Sequence, residues 1–304
     1  MVSSIITSKT AAAVFYLPYD CWEYVFRFLV NDNGDKDHNH LYLKSLSLVS
    51  KQFFSITNLL HLSLTICDQT HPFLPSLFQR FTNLNSLDLS CYSGYLNKLL
   101  CQISNFPLRL TSLVFSVQTT IPTNGLQAFS QSIKTLTSLT CSFIESINRT
   151  DLFLIADCFP NLQLLDLSHC KDVSEEGIVH VLMICCNIRH LNLTCCSRLK
   201  LRTLNFEVPK LEVLDLSFTR VDDKSLYWIS KSCSGLLQLS LKFCEGVTEK
   251  GVKHVVEKCT QLRDIDLKYC DEVLISRCLA ARYQFNLKER RLLSRQGCLV
   301  CYEV

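Results

Sequence analysis

The chain has 304 residues, 48% of them hydrophobic, with 8 Gly, 7 Pro and 19% charged residues. That composition excludes disorder and collagen-like structure and leaves length enough for a sizeable core. Basic and acidic residues nearly balance, 31 against 28 for a net charge of +3, so charge gives no reason to expect nucleic acid or a membrane surface as partner.

At the N-terminus, Ala11 to Tyr16 is an uncharged patch without the marks of a signal peptide. Charged residues or Asn interrupt every long apolar run before it reaches the roughly 20 residues a membrane span needs. The expectation is a soluble intracellular protein, nuclear or cytoplasmic, whose 18 cysteines are reduced. The sequons at Asn148 and Asn192 then carry no meaning.

Residues 1–16 read as a tail and residues 17–57 as a small all-α segment. Pro18 suits the first turn of a helix and Asp20 its N-terminal end. Trp22, Tyr24, Val25, Phe26, Phe28 and Leu29 follow within twelve positions. They spread well beyond one stripe, so this helix needs cover on more than one side. A unit of some forty residues can seldom supply that cover alone. Asn31 to Tyr42 reads as a polar loop, and Asp35, Asp37, His38 and His40 within it as solvated residues rather than metal ligands. A second apolar stretch runs from Leu43 through Leu46 and Val49 to Phe53 and Phe54.

From Leu59 the pattern L-x-x-L-x-L-x-x-C recurs, with starts at Leu59, Leu84, Leu110, Leu136, Leu162, Ile188, Leu211, Leu236 and Leu262. The spacing stays close to 26, inside the leucine-rich-repeat range, and 52 leucines supply it. In the copy that begins at Leu162, alternation puts Leu165 and Leu167 on one face of a short strand and Leu164, Asp166 and Ser168 on the other. Ser174 then caps a helix that carries Ile178, Val181 and Leu182 at helical spacing. Such a strand, turn and helix cannot enclose its apolar side alone, so the copies must stack. The fold class is α/β: a leucine-rich-repeat solenoid over residues 58–270, about nine repeats, with a parallel sheet on its concave face and the small all-α segment ahead of it. Residues 271–304 break the pattern and read as a cap with a basic face of Arg282, Lys288, Arg290, Arg291 and Arg295. The C-terminal Cys301 lacks the aliphatic context of a prenylation box.

Cys67, Cys170, Cys196, Cys244 and Cys270 take the ninth repeat position, and Cys185, Cys233 and Cys259 sit three residues before the next repeat. Packed free thiols explain that register. Cys298 and Cys301 form a lone C-x-x-C without a partner pair, so no metal and no cofactor are expected. The chain carries no G-x-S-x-G, H-E-x-x-H, Walker or dinucleotide motif. Asp88, Asp166, Asp215 and Asp266 share one position, but nothing about them separates an acid from a base, and no catalytic residue is assigned.

Inner-face positions are small in the early repeats: Ser63, Ser86, Ser90, Ser112, Ser116, Ser138, Thr140 and Ser142. In the later ones they become His190, Asn192, Asp215, Gln238, Lys242, Asp264, Asp266 and Lys268, bordered one residue beyond each strand by His169, Phe218, Phe243 and Tyr269. Aromatics beside charges are what binding hot spots are made of. A protein substrate is therefore expected at His190, Asp215, Phe218, Lys242, Phe243, Asp266, Lys268 and Tyr269. The rival reading packs Phe218 and Phe243 into the turns.

Cysteine at position nine and links such as Gly246 to Val252 and Val221-Asp222-Asp223 resemble the cysteine-containing class of intracellular leucine-rich repeats. Leu17, Pro18, Asp20, Val25, Phe26, Leu29, Leu46, Val49, Lys51 and Phe53 fill the places of an F-box. An F-box followed by such repeats resembles the F-box and leucine-rich-repeat protein family, especially large in plants. The resemblance implies a non-catalytic substrate-recognition subunit of a Skp-cullin-F-box ubiquitin ligase. It implies that Leu17, Pro18, Val25, Phe26, Leu29, Leu46, Val49, Lys51 and Phe53 bind the Skp-type adaptor, and a cullin through it. A ligase-independent scaffold or inhibitor using the same repeat face is the alternative.

Overall fold

The computed structural model describes residues 17–31, 36–270 and 291–293. It separates into two compact units, one running to Leu62 together with Gln79–Asn83, the other comprising the remainder from Ser63 onward. The tail at 1–16 and most of the cap, including Cys298 and Cys301, lie outside the described residues.

The first unit holds helices α1 (Tyr19–Asn31), α2 (Lys36–Ser47) and α3 (Lys51–Leu60). Pro18 stands just ahead of α1, and its carbonyl accepts the amides of Cys21 and Trp22 at 3.1 and 3.3 Å. Ser50 caps α3, its Oγ accepting the Phe53 amide at 3.1 Å. The polar loop expected up to Tyr42 is helical from Lys36. Leu43 and Leu46, three apart on one helical face, explain the difference: Leu43 is buried and Leu46 packs on the same core, so apolar spacing overrides the polarity of the preceding residues. That core is small: Phe26, Leu43, Ile56 and Leu60, with Tyr19, Trp22, Leu46 and Phe53 against it. The Phe53 ring lies 4.8 Å from Trp22 and 4.9 Å from Phe26, edge-on to the latter, which ties α3 to α1.

The second unit is a solenoid built on a ten-stranded parallel sheet in chain order. Its strands are β1 (Ser63–Thr65), β2 (Ser86–Asp88), β3 (Ser112–Val114), β4 (Ser138–Thr140), β5 (Leu164–Asp166), β6 (His190–Asn192), β7 (Val213–Asp215), β8 (Gln238–Ser240), β9 (Asp264–Asp266) and β10 (Arg291–Leu293). Helices α4 (Leu74–Arg80), α5 (Leu96–Ile103), α6 (Thr123–Ser132), α7 (Arg149–Cys158) and α8 (Glu175–Ile184) follow the first five strands. Helices α9 (Asp223–Ser232) and α10 (Glu249–Lys258) follow β7 and β8. The central residues of β2 to β9 stand in register from Leu87 to Ile265, and all are buried. This is the leucine-rich-repeat architecture the period implies, with each copy enclosed by its neighbours.

Helix spacing depends on glycine at the third position of α8 and α10. A Cβ on Gly177 would run into Leu152 of α7, and one on Gly251 into Asp223 and Leu226 of α9.

Three details differ from the sequence reading. The first repeat starts at His61, not Leu59, because Ser63 pairs with Ser86 and Leu64 with Leu87. Leu62, Leu64 and Ile66 alternate with the same parity, so a slip of two preserves the apolar face and is invisible in the pattern. Cys67 therefore does not hold the ninth position. The 23-residue copy from Ile188 has no helix between β6 and β7; an irregular segment instead buries Leu199, Leu201, Leu204 and Val208. Finally, β10 pairs with β9 through Arg291 and Asp264, so one more strand forms where the pattern breaks. The charged spelling of that segment hides a spacing near the repeat period.

Candidate interaction surface

The turns after β2, β5, β7 and β9 are organised by the acid at the strand's end. Oδ1 of Asp88, Asp166, Asp215 and Asp266 accepts the amide two residues on, from Ser90, Ser168, Ser217 and Lys268, at 2.8 to 3.1 Å. Asn192 does the same for Thr194 at 3.0 Å. The recurrent acids are turn caps, which is the physical content of their shared position.

The next residue, position eight of the repeat, is left-handed. Val117, Phe143, His169, Cys195, Phe218, Phe243 and Tyr269 have φ between 55° and 62°. Their amides from Val117 to Phe243 donate to a carbonyl of the following repeat, for example Phe218 to Lys242 at 2.7 Å. None is glycine, although a left-handed side chain costs about 1–2 kcal/mol. The aromatic ones stack: Phe143 on His169 at 4.1 Å, Phe218 on Phe243 at 4.4 Å and Phe243 on Tyr269 at 4.3 Å, within 18° of parallel. Each pair returns about 0.5–1.5 kcal/mol, so folding gains little from aromatics here. Phe143, Phe218, Phe243 and Tyr269 stay 50, 43, 41 and 48% exposed. Phe218 and Phe243 are thus exposed rather than packed into the turns, and they stand three residues past the strand ends, not one. Phe143 belongs to the same row, an aromatic that the reading of the early repeats as inert does not include. The signal available in the sequence was the residue directly before position nine.

Of the other expected substrate residues, His190 is exposed at the start of β6. Asp215 is half-buried with one oxygen committed to its turn. Lys242 and Asp266 pair with each other across neighbouring repeats, Nζ to Oδ2 3.1 Å. They offer a partner less charge than the sequence suggests. Lys268 stands beyond the end of β9, half-buried, next to Tyr269. The strand faces do not divide as cleanly as expected, since Val213 also occupies an outward position in the later half.

In the helical unit, the expected adaptor residues separate. Leu17, Pro18, Val25, Leu29, Val49 and Lys51 are exposed, while Phe26 is core and Leu46 and Phe53 are partly buried against it. Tyr24, Phe28 and Leu48 add exposed apolar area that the motif did not include, Leu48 at 82%.

The ninth-position cysteines reach back one repeat. Sγ of Cys170, Cys196, Cys244 and Cys270 lies 2.9 to 3.3 Å from the carbonyl of Cys141, Leu167, Leu216 and Leu241. A thiol can donate where a methyl cannot, which explains cysteine at a buried turn. Cys185 and Cys259 make the same contact to Phe159 and Cys233 at 3.5 and 3.4 Å. Burial pushes the thiols of Cys170 and Cys244 up to about 11 and those of Cys185 and Cys233 up to about 12. A shallow cleft at the start of α7 and α8 closes on itself: Arg149 pairs with Glu176 at 2.6 Å, and Glu175 accepts from Thr203. Among the described residues no helix is long and apolar enough to cross a membrane.

No family model matches the chain. Among solved structures it is similar to the Rad7 and Elc1 complex in yeast, at 17% identity over 84% of this chain and 72% of that one, with a TM-score of 0.54. It is also similar to an internalin, inlF, from Listeria monocytogenes, at 14% identity over 93 and 98% of the two chains, TM-score 0.47. A third similarity, to the leucine-rich repeat domain of APL1B, has 15% identity over 84 and 67%, TM-score 0.42. At these identities the likeness is one of fold. The chain has a leucine-rich-repeat solenoid.

Proposed function

We propose that the protein is a non-catalytic substrate receptor: the helical unit binds a Skp-type adaptor, and a cullin through it, while the repeats hold a protein for ubiquitin transfer. The observation that carries this reading is the outward apolar surface of the helical unit. Leu17, Val25, Phe28, Leu29, Leu48 and Val49 are exposed on a unit whose own core encloses four residues. A soluble chain gains nothing from such a patch unless something covers it. Four of them, Leu17, Val25, Leu29 and Val49, are among those the F-box resemblance assigns to the adaptor. The stacked aromatics at Phe218, Phe243 and Tyr269 support a target surface on the later repeats. Catalysis in this reading is by proximity, since holding the target raises the effective concentration of its lysines near the ubiquitin-charged enzyme.

The test is recovery of a Skp-type adaptor by the full chain and by the double variant Leu17→Ala, Pro18→Ala. Both positions are exposed, so helical content by circular dichroism should stay unchanged while adaptor recovery is lost. Undiminished recovery rejects the assignment. It would leave the ligase-independent scaffold, which uses the repeats alone.

A further inference from the structure

We propose that the interruption of the aromatic row at Cys195 is a binding slot for one planar cation, the guanidinium of an arginine presented by a partner protein. The proposal rests on reading the repeats as a protein-binding surface and not on adaptor docking.

Position eight holds rings at Phe143 and His169, then Cys195, then rings again at Phe218, Phe243 and Tyr269. His169, Cys195 and Phe218 have φ of 60°, 61° and 59°, so their side chains leave the backbone in one direction. Filled neighbours stack at 4.1 to 4.4 Å. His169 has Phe143 on one face and Phe218 has Phe243 on one face. Their other faces look toward Cys195, whose side chain ends at sulfur. Two strand spacings separate the two rings, about 9–10 Å. One planar group needs about 3.5–4 Å on each side. The slot therefore takes a single ring or guanidinium and nothing thicker.

Charge decides between these occupants. Asp215, at the end of β7, adjoins the slot: it is in register with Asn192 of β6, and the Cys195 amide donates at 2.8 Å to Ser217, the residue whose amide Asp215 caps; its negative charge adds to burial in raising the Cys195 thiol. Oδ1 of Asp215 caps its turn on the Ser217 amide at 2.9 Å, and Oδ2 has no partner among the described residues. The other nearby carboxylate, Asp166, has both oxygens engaged, by the Ser168 amide and by Nδ2 of Asn192 at 3.0 Å. An arginine answers all three features. It is flat, it stacks on aromatic faces, and it carries its charge in a fork that a carboxylate accepts. Lysine lacks the plane, and tryptophan or a nucleobase lacks the charge.

The test is calorimetric titration of the full chain with acetyl-Gly-Arg-Gly-amide, its lysine and tryptophan counterparts, and adenosine monophosphate. The arginine peptide should bind about fivefold or more tighter than each of the others. Cys195→Phe completes the row as Phe143 and Phe218 already do, and should weaken arginine binding about tenfold with the melting temperature preserved. Asp215→Asn keeps the turn cap, as Asn192 shows, and should weaken it about three- to tenfold. Should Cys195→Phe fail to fold, the asparagine variant and the peptide series still decide. Equal binding of arginine and lysine peptides, or wild-type binding by folded Cys195→Phe, overturns the proposal. So does a preference for the tryptophan peptide or the nucleotide, which would assign the slot to an aromatic side chain or a base. The Leu17→Ala, Pro18→Ala chain should bind the arginine peptide normally however its adaptor recovery falls, so the two readings fail separately.

Discussion

In the helical unit Phe26, Leu43, Ile56 and Leu60 are enclosed while Tyr24, Phe28, Leu48 and Val49 face outward. In the repeat unit the central residue of every strand from β2 to β9 is enclosed, and the exposed rings of the sheet's turns fall at one repeating position. The difference follows from construction. Three short helices have too little volume to surround their apolar residues, whereas each repeat is surrounded by the next. Outward apolar residues in the first unit are thus what so small a core leaves uncovered. In the second, Phe143, Phe218, Phe243 and Tyr269 sit where a left-handed backbone would favour glycine, so folding alone does not select them.

Alkaline pH should strike the two units most unequally. The raised thiols of Cys170, Cys185, Cys233 and Cys244 all belong to the repeats. From pH 9 to about 11 the unfolded chain loses thiol protons that the folded chain keeps. Stability therefore falls as pH rises through that window, each thiol adding to the slope. Urea midpoints between pH 8 and 11 should drop steeply for the repeat unit and little for the helical one. The chain has 2 Trp, Trp22 in the helical unit and Trp228 in the repeats, so Trp22→Phe and Trp228→Phe backgrounds resolve the two by fluorescence. Parallel drops would erase the contrast.

Phe26→Ala should cost about 3–5 kcal/mol in the helical unit, since it empties the centre of a small core. Leu29→Ala, on the exposed side of the same helix, should cost under ~1 kcal/mol. Unfolding in the Trp228→Phe background measures both, and similar losses would mean that the outward face is structural.

Asp166→Ala removes a turn cap and the Asn192 contact, and about 1–2 kcal/mol should go with them. Asp166→Asn keeps the cap and should stay near the parent. If the two substitutions unfold alike in urea, charge rather than capping explains the recurrent acid. Arg198→Ala breaks an exposed ion pair to Asp172 and should shift stability by no more than ~0.5 kcal/mol. A larger loss in a urea titration would show that bridges between repeats matter beyond the stacked core.

Period and alternation sufficed for the parallel sheet and for the enclosed leucines from β2 onward, because burying one face of a strand forces a two-residue rhythm that survives in the amino-acid order. The rhythm also explains the error at Leu59: a shift of two leaves it intact, and only pairing with β2 selects His61 as the start. Leu43 and Leu46 made α2 legible against its polar beginning, but a count of charges concealed it. The pairing of Lys242 with Asp266 cannot be read along the chain, since it joins residues about 25 positions apart. The sequence alone determined the repeat and the residues that stack within it. Tertiary structure decided which charges cancel, which apolar residues of α1 turn outward and which rings share a face, because those depend on what the neighbouring repeat or helix brings alongside.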